Sequence, residues 1–342
     1  MLRAAPALDG RLLWGSILVL IGAFALAPPL LSQDVFSYIS NARLGVEHGL
    51  NPYVHAPSDF AGDPAFPYVG WRDTTSAYGP LFTLATYPLA LVSVPAAFWV
   101  LKAASAASVL ALAWLCSRLA PARGIDRRSA AVLVALNPLV LVHVVGGPHN
   151  DGAMLLLLMA GCAGVLALRE ATGGAALLAA AAVKVSAVFA APFAFLGARR
   201  PLRLLAGTLL AAALIAAASL IAFGTHAFDA IGLAGENQAN TSHYSVPATA
   251  ARVLGVDVDP VRVAALVVYA GFVAWLLLWT RRDGDWLRAA GWAAFGLLVA
   301  SGWLLPWYVI WALPFAALSR DRTLTGMVLA LTAFQLINRV PL

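Results

Sequence analysis

Charge is what this chain of 342 residues has least of. Asp, Glu, Lys and Arg together supply 11% of it, against about 25% in ordinary globular domains. With 61% hydrophobic residues, that excludes a water-covered soluble fold and points to an integral membrane protein. Cysteine is nearly absent. Cys116 and Cys162 both lie in apolar runs, which excludes a disulfide framework and gives no metal-binding spacing. There is no Walker loop, no dinucleotide fingerprint and no basic tract interleaved with aromatics, so neither a nucleotide cofactor nor nucleic acid has a motif to bind. No cofactor is expected, and a divalent metal is left open. No internal repeat or heptad is visible. The formal net charge of +6 therefore speaks to orientation in a membrane.

What is present is a series of apolar runs. A hydrocarbon layer of about 30 Å takes roughly 20 apolar residues per helix. Runs at 12–31, 95–118, 130–147, 152–169, 204–224, 260–280, 286–304, 306–319 and 323–339 are candidates. The first follows Arg3 and Arg11 and ends at Pro28-Pro29 rather than at small residues, so it reads as an anchor rather than a signal peptide. Two further pieces, 81–93 and 173–197, are interrupted, the first by prolines and the second by Lys184. If both return to the side from which they came, fifteen arginines share one side. Only Arg43, Arg72, Arg252, Arg262 and Arg339 lie on the other. If both span, the split is ten against ten. The positive-inside rule favours the first arrangement. The fold expected is thus all-α and polytopic, one transmembrane domain over 1–342. It has about nine full spans plus two broken or re-entrant elements, with the N-terminus inside.

This topology gathers four polar segments on the outer side: a first outer loop at 32–80, the turn at 148–151, a second loop at 225–259, and the stretch from Trp303 to Trp311. Asp34 heads a helical face shared with Tyr38 and Asn41 at i, i+4 and i+7. A carboxylate there suits a general base, or simply a first-turn acid after Ser32, favoured by the helix dipole, which would lower its pKa. His149-Asn150-Asp151 follows Gly146-Gly147-Pro148. A plain turn accounts for Gly, Pro, Asn and Asp but not for His. Trp303, Trp307, Tyr308 and Trp311 read as an interfacial belt or as a stacking surface for a sugar ring. A lysine in mid-membrane is costly and functional by default. For Lys184, however, the topology favours a snorkelling side chain near a break on the cytoplasmic side, away from the outer face. Glu236, His243, Tyr244, Asp257 and Asp259 could line a cleft or bind a cation, but read first as ordinary loop residues. The Gly- and Ala-rich stretch 173–182 reads as helix-packing material.

The order of motifs resembles a known class. Asp34-Val35 with Tyr38 and Ala42-Arg43 is followed by Gly49-Leu50-Asn51-Pro52-Tyr53, Tyr78-Gly79-Pro80, Asn137-Pro138, His149-Asn150-Asp151, Lys184, and Pro306-Trp307-Tyr308 with Trp311. The chain is similar to the GT-C membrane glycosyltransferases, and most to the MptB-like group of polyprenol-phosphomannose-dependent α-1,6-mannosyltransferases. The resemblance implies a GT-C-like fold in the plasma membrane of a bacterium, with the active site facing outside. It implies a polyprenyl-phosphate sugar donor, a cell-envelope glycan or glycolipid acceptor, and inverting transfer of one hexose. Asp34 would be the base. Substrate contacts would come from Tyr38, Arg43, Asn51, Tyr53, Arg72, Tyr78, His149, Asn150, Asp151, Trp307, Tyr308 and Arg339. Of these, Arg43, Arg72, His149 or Arg339 would neutralise the departing phosphate. Against the resemblance, the chain is shorter than typical members, and late spans or a C-terminal domain of some relatives are expected to be missing. Three alternatives stand beside it: a GT-C enzyme for another sugar such as arabinofuranose, a lipid-linked sugar transporter or flippase, and a non-catalytic scaffold.

Overall fold

The computed structural model describes residues 5–237, 240–282 and 284–337. Among them every regular element is helical. The helices are α1 Gly10–Leu26, α2 Asp34–Val46, α3 Pro80–Thr86, α4 Val94–Leu119, α5 Arg127–Ala135, α6 Asp151–Leu166, α7 Glu170–Val183 and α8 Ala191–Gly197. They continue with α9 Pro201–Phe223, α10 Asp229–Asn237, α11 Val246–Leu254, α12 Val258–Arg281, α13 Trp286–Ala300, α14 Leu313–Ala317 and α15 Arg322–Ile337. Starts are capped as the sequence allows: Asp9 accepts from the Arg11 and Leu12 amides, Asp126 from Ser129, and Ser93, with Pro95 just inside, from Ala96. Each cap satisfies amides that have no partner within the helix.

Three helical stretches are long and apolar enough to cross a membrane, namely Val94–Arg123, Pro201–Leu233 and Val258–Arg281. A fourth forms if Arg127–Ala135 and Val140–Gly146 count as one. The sequence suggests about nine full spans, and the difference lies in breaks. Pro138 has no N–H to continue α5. Asn137 Oδ1 takes the Leu139 amide instead, and the chain bends by 63° into a π-helical turn at Val140–Gly146. The 306–319 run is a 3₁₀ turn, Pro306–Ala312, followed by the short α14. The expected 12–31, 152–169 and 286–304 runs close early, at Leu26, Leu166 and Ala300. Such short helices are tolerated at membrane depth where protein buries them. The two interrupted pieces are indeed broken: 81–93 becomes α3 and a 3₁₀ turn, and 173–197 breaks at Lys184, whose backbone is extended.

The long helices divide into centre and rim. Half of the apolar window of α4 is buried, against 17% for the stretch containing α9 and 6% for α12. Outward-facing Leu209, Leu214 and Ile221 on α9, and Val263, Val267 and Val268 on α12, form apolar faces of the kind that meets lipid. Near α4 the anchor helix α1 joins the core through Leu13, Ile17 and Ile21. Close approach runs α7 up alongside α6. A Cβ at Gly164 would sit 2.7 Å from Gly173 Cα, and one at Gly207 of α9 would sit 1.9 Å from Ala171 O. The stretch read as packing material therefore holds three helices backbone to backbone. From its apex at Lys184 the chain descends through α8 until Gly197 lies against the Trp286 ring at the start of α13.

Candidate active site

The cavity has a volume of about 500 Å³, within the range of small-molecule sites. Residues from all four expected outer segments line or back it. Asp34, Ser37 and Asn41 come from α2, and Trp71, Thr74, Thr75 and Tyr78 from the rest of the first loop. Ile231, Gly235 and Asn240 come from the second loop, and Trp303, Trp307, Tyr308 and Trp311 from the aromatic stretch. His149 reaches it from behind: its Nδ1 lies 3.4 Å from Asp34 Oδ2, and its ring stacks on Trp307 at 3.9 Å between centroids.

Asp34 is the acid at the cavity wall. Ser32 Oγ accepts its amide at 3.2 Å, and Trp71 Nε1 donates to its Oδ1 at 3.1 Å. Its side chain keeps 14% of its surface exposed. Burial raises its pKa above the ordinary value, although the Trp71 hydrogen bond and the Lys184 charge pull the other way. The expected lowering by the helix dipole does not prevail, because desolvation of the carboxylate is the larger effect. Burial also drives His149 well below its usual value, with Lys184 adding to the shift. Next to Asp34 the imidazole is therefore neutral.

Asp151 is fully buried at the start of α6. Lys184 Nζ donates to both of its oxygens at 2.9 Å, and Trp311 Nε1 donates to Oδ1 at 2.6 Å. The ammonium also lies 4.8 Å from the Tyr308 ring centre and 5.5 Å from that of Trp311, within cation–π range. Lys184 itself lines the cavity. This corrects the sequence expectation, which set it near the cytoplasmic side. Gly79 explains the position. The Gly79 amide donates to Val183 O at 3.2 Å, and a Cβ there would sit 2.1 Å from Ala182 O. Only glycine lets the first loop press its backbone onto the end of α7.

The other expected site residues divide in two. Tyr78, Trp307 and Tyr308 line the cavity. Tyr38 and Asn150 pack behind it: Tyr38 lies edge-on to Tyr78 and Phe82, and its hydroxyl accepts the Asn150 amide at 3.4 Å. The α2 face turned to the cavity is thus Asp34, Ser37 and Asn41. Arg43, Asn51, Tyr53 and Arg72 lie outside the lining, because the loop uses them to hold itself. Arg43 Nε is 2.9 Å from Asp63 Oδ2 and its Nη1 reaches Ala90 O. Asn51 donates to Phe223 O, and the Tyr53 hydroxyl donates to Tyr78 O. Arg72 donates to Val69 O and Pro67 O. Arg339 lies outside the described residues. Trp71 and Ser37 are cavity residues that sequence reasoning missed; a tryptophan in a polar loop was the available signal for the first. Among the described residues no group of three or more His, Cys, Asp or Glu side chains is arranged to hold a metal ion.

Residues 3–200 match the family model described as alpha-(1→6)-mannopyranosyltransferase, N-terminal domain, and residues 249–341 match the MptB C-terminal domain. The chain belongs to this mannopyranosyltransferase family. Alpha-(1→6)-mannopyranosyltransferase A of Mycobacterium tuberculosis is 29% identical over 91% of this chain and 66% of its own length. The A enzyme of Corynebacterium glutamicum is 28% identical over 55% of the chain and 39% of its own. The B enzyme of that organism is 26% identical over 41% and 24%. The chain thus spans 66% or less of these relatives. No solved structure matches the chain.

Proposed function

We propose that this protein is an inverting, GT-C-type α-1,6-mannosyltransferase of a bacterial plasma membrane. It moves one mannosyl group from a polyprenyl-phosphate donor to a cell-envelope glycan or glycolipid hydroxyl at the outer face. One observation carries the reading: in a chain of this family, a carboxylate with raised pKa, Asp34, opens onto an aromatic-walled cavity. Its proton affinity suits a general base better than that of an exposed aspartate. Trp303, Trp307 and Tyr308 offer ring faces to a sugar. On the cavity wall, the buried Ser37 Oγ lacks a protein partner. Such a group costs about 1–3 kcal/mol when left unpaired, and a hydroxylated ligand would satisfy it.

In the reaction, the acceptor oxygen attacks the anomeric carbon as its proton passes to Asp34 Oδ. The bond from that carbon to the phosphate oxygen breaks, and the phosphate leaves with the electron pair. Negative charge moves from Asp34 to the departing phosphate, so the site's total is unchanged. His149, neutral and stacked on Trp307, backs the carboxylate on the side away from the cavity. The polyprenyl tail lies between helices beside α3 and its 3₁₀ extension. The arginines support this orientation. Arg118 ends α4, Arg127 begins α5, Arg281 ends α12 and Arg322 begins α15. Arg288 pairs with Asp321 near the start of α13, about 18 Å of helix from its cavity end. Positive charge at that pole favours the cytoplasmic side.

The test uses the purified protein in lipid nanodiscs with synthetic polyprenyl-phosphomannose and an α-mannoside acceptor. Asp34→Asn should lower transfer about 10²–10⁴-fold. Undiminished turnover in that variant would remove Asp34 from the base role, and preference for an arabinofuranosyl donor would change the sugar.

A further inference from the structure

We infer that Lys184 is the anion receptor of this cavity. In this reading its ammonium takes the phosphate of a long-chain lipid phosphate, and Asp151 and Trp311 are positioning residues that hold it ready. The inference rests on the proposed lipid-phosphate donor. Among the described lining residues Lys184 is the cationic side chain. Arg43 and Arg72, which the sequence offered for phosphate, are bound to Asp63 and to loop carbonyls.

An ammonium has three N–H donors. Two point at Asp151, which leaves one for a ligand while 17% of the side chain stays exposed. Asp151 is sealed from the cavity and takes a third hydrogen bond from Trp311. It therefore holds the Lys184 ammonium in place among apolar and aromatic groups with a fully buried counter-charge. It does so without offering its own charge to the ligand. The Tyr308 and Trp311 rings limit where the ammonium can turn. One cation suits a singly charged phosphodiester. As the bond to the sugar breaks, the phosphate gains its second charge beside Lys184, so the contact strengthens towards the transition state.

The experiment measures binding of polyprenyl phosphate, polyprenol and inorganic phosphate to the full-length protein in nanodiscs, with transfer assayed separately. Polyprenyl phosphate should bind, polyprenol at least tenfold more weakly, and inorganic phosphate should displace the lipid phosphate only at far higher concentration. Inorganic phosphate binding as tightly as the lipid phosphate would reassign the site to free phosphate and overturn the lipid assignment. Lys184→Met should weaken polyprenyl phosphate at least tenfold, and Lys184→Arg should restore part of that. Asp151→Asn should weaken polyprenyl phosphate several-fold, as the ammonium loses the carboxylate that holds it in place, and thermal melts should show each variant folded. Where Lys184→Met does not fold, Lys184→Arg and Asp151→Asn carry the same test. Unchanged polyprenyl phosphate affinity in the folded Lys184 variants would overturn the inference even if mannosyl transfer is found. Lost affinity with no mannosyl transfer in the wild type would instead leave Lys184 as receptor and overturn the proposed reaction.

Discussion

Lys102 and Lys184 are the two lysines of the chain, and both sit among apolar residues, yet their surroundings differ in kind. Lys102 is 1% exposed in the middle of α4. Its Nζ donates to Phe24 O at 2.7 Å and Gly146 O at 2.9 Å, joining the end of α1 to the π-helical turn. Ser105, one helical turn further on, donates to Val144 O. The carbonyls left open at the ends of α1 and of the π-helical turn are thus bound by one polar stripe of α4. Lys184 is paired to a carboxylate and faces a cavity. A buried cation bound only by backbone carbonyls is a clamp. One bound by a sealed carboxylate, with a donor to spare, is equipped to meet a ligand.

Stability measurements can break this comparison, and the largest effect is expected there. Lys184→Met leaves Asp151 buried without its cation and should cost about 3–5 kcal/mol. Adding Asp151→Asn removes the stranded charge, and the double variant should regain most of that loss while still failing to bind polyprenyl phosphate. Lys102→Met should cost on the order of 3 kcal/mol, because two carbonyls lose charge-assisted hydrogen bonds. No substitution at the partner positions can relieve this loss, since the partners are backbone. Thermal melts of the single and double variants in nanodiscs check this. A Lys184→Met loss that Asp151→Asn does not relieve would put Lys184 in the same category as Lys102.

A smaller effect tests how Lys184 reaches the cavity. Gly79→Ala forces a methyl group into Ala182 O, and the backbone there cannot yield as a side-chain tip would. A cost of about 1–3 kcal/mol is expected, with weaker lipid phosphate binding, because the first loop and the Lys184 break move apart. Unchanged melting and binding would mean that the loop does not set the position of Lys184.

Much of the cavity was legible in the sequence because a polar residue stands out in an apolar chain. Asp34, His149 and Trp307 lie far apart in the chain, and positive-inside reasoning put them on one surface. They do meet, His149 touching both of the others. Lys184 was not legible, because hydropathy sees only an apolar run around it. Its height depends on glycine contacts between α6, α7 and α9, which are tertiary. Arg43 and Arg72 misled for the opposite reason. An irregular loop must satisfy its own carbonyls and carboxylates, and these arginines serve that need. The span count exceeded the number of full-length helices because apolar runs do not reveal where a proline or a 3₁₀ turn ends a helix.

The smallest expected effect separates two acids of the same loop. Burial also acts to raise Asp63, but hydrogen bonds from His48, the Ala65 amide and Arg43 outweigh it and hold its pKa below the ordinary value, whereas Asp34 lies above its own. The signs then oppose. Asp63 binds its proton less tightly folded than unfolded, so its stabilisation is complete above about pH 3.9 and is lost only as pH falls through its lower folded value. Asp34 binds its proton more tightly folded, so its ionised form opposes folding at neutral pH, and Asp34→Asn should melt at the same temperature or higher. Acidification should therefore reduce transfer first, along a limb set by the raised Asp34, and loosen the loop only afterwards. Asp63→Asn should cost about 1–2 kcal/mol and leave that limb where it is. A limb that moved with Asp63→Asn would mean that the latch, and not the cavity acid, governs the pH response of transfer.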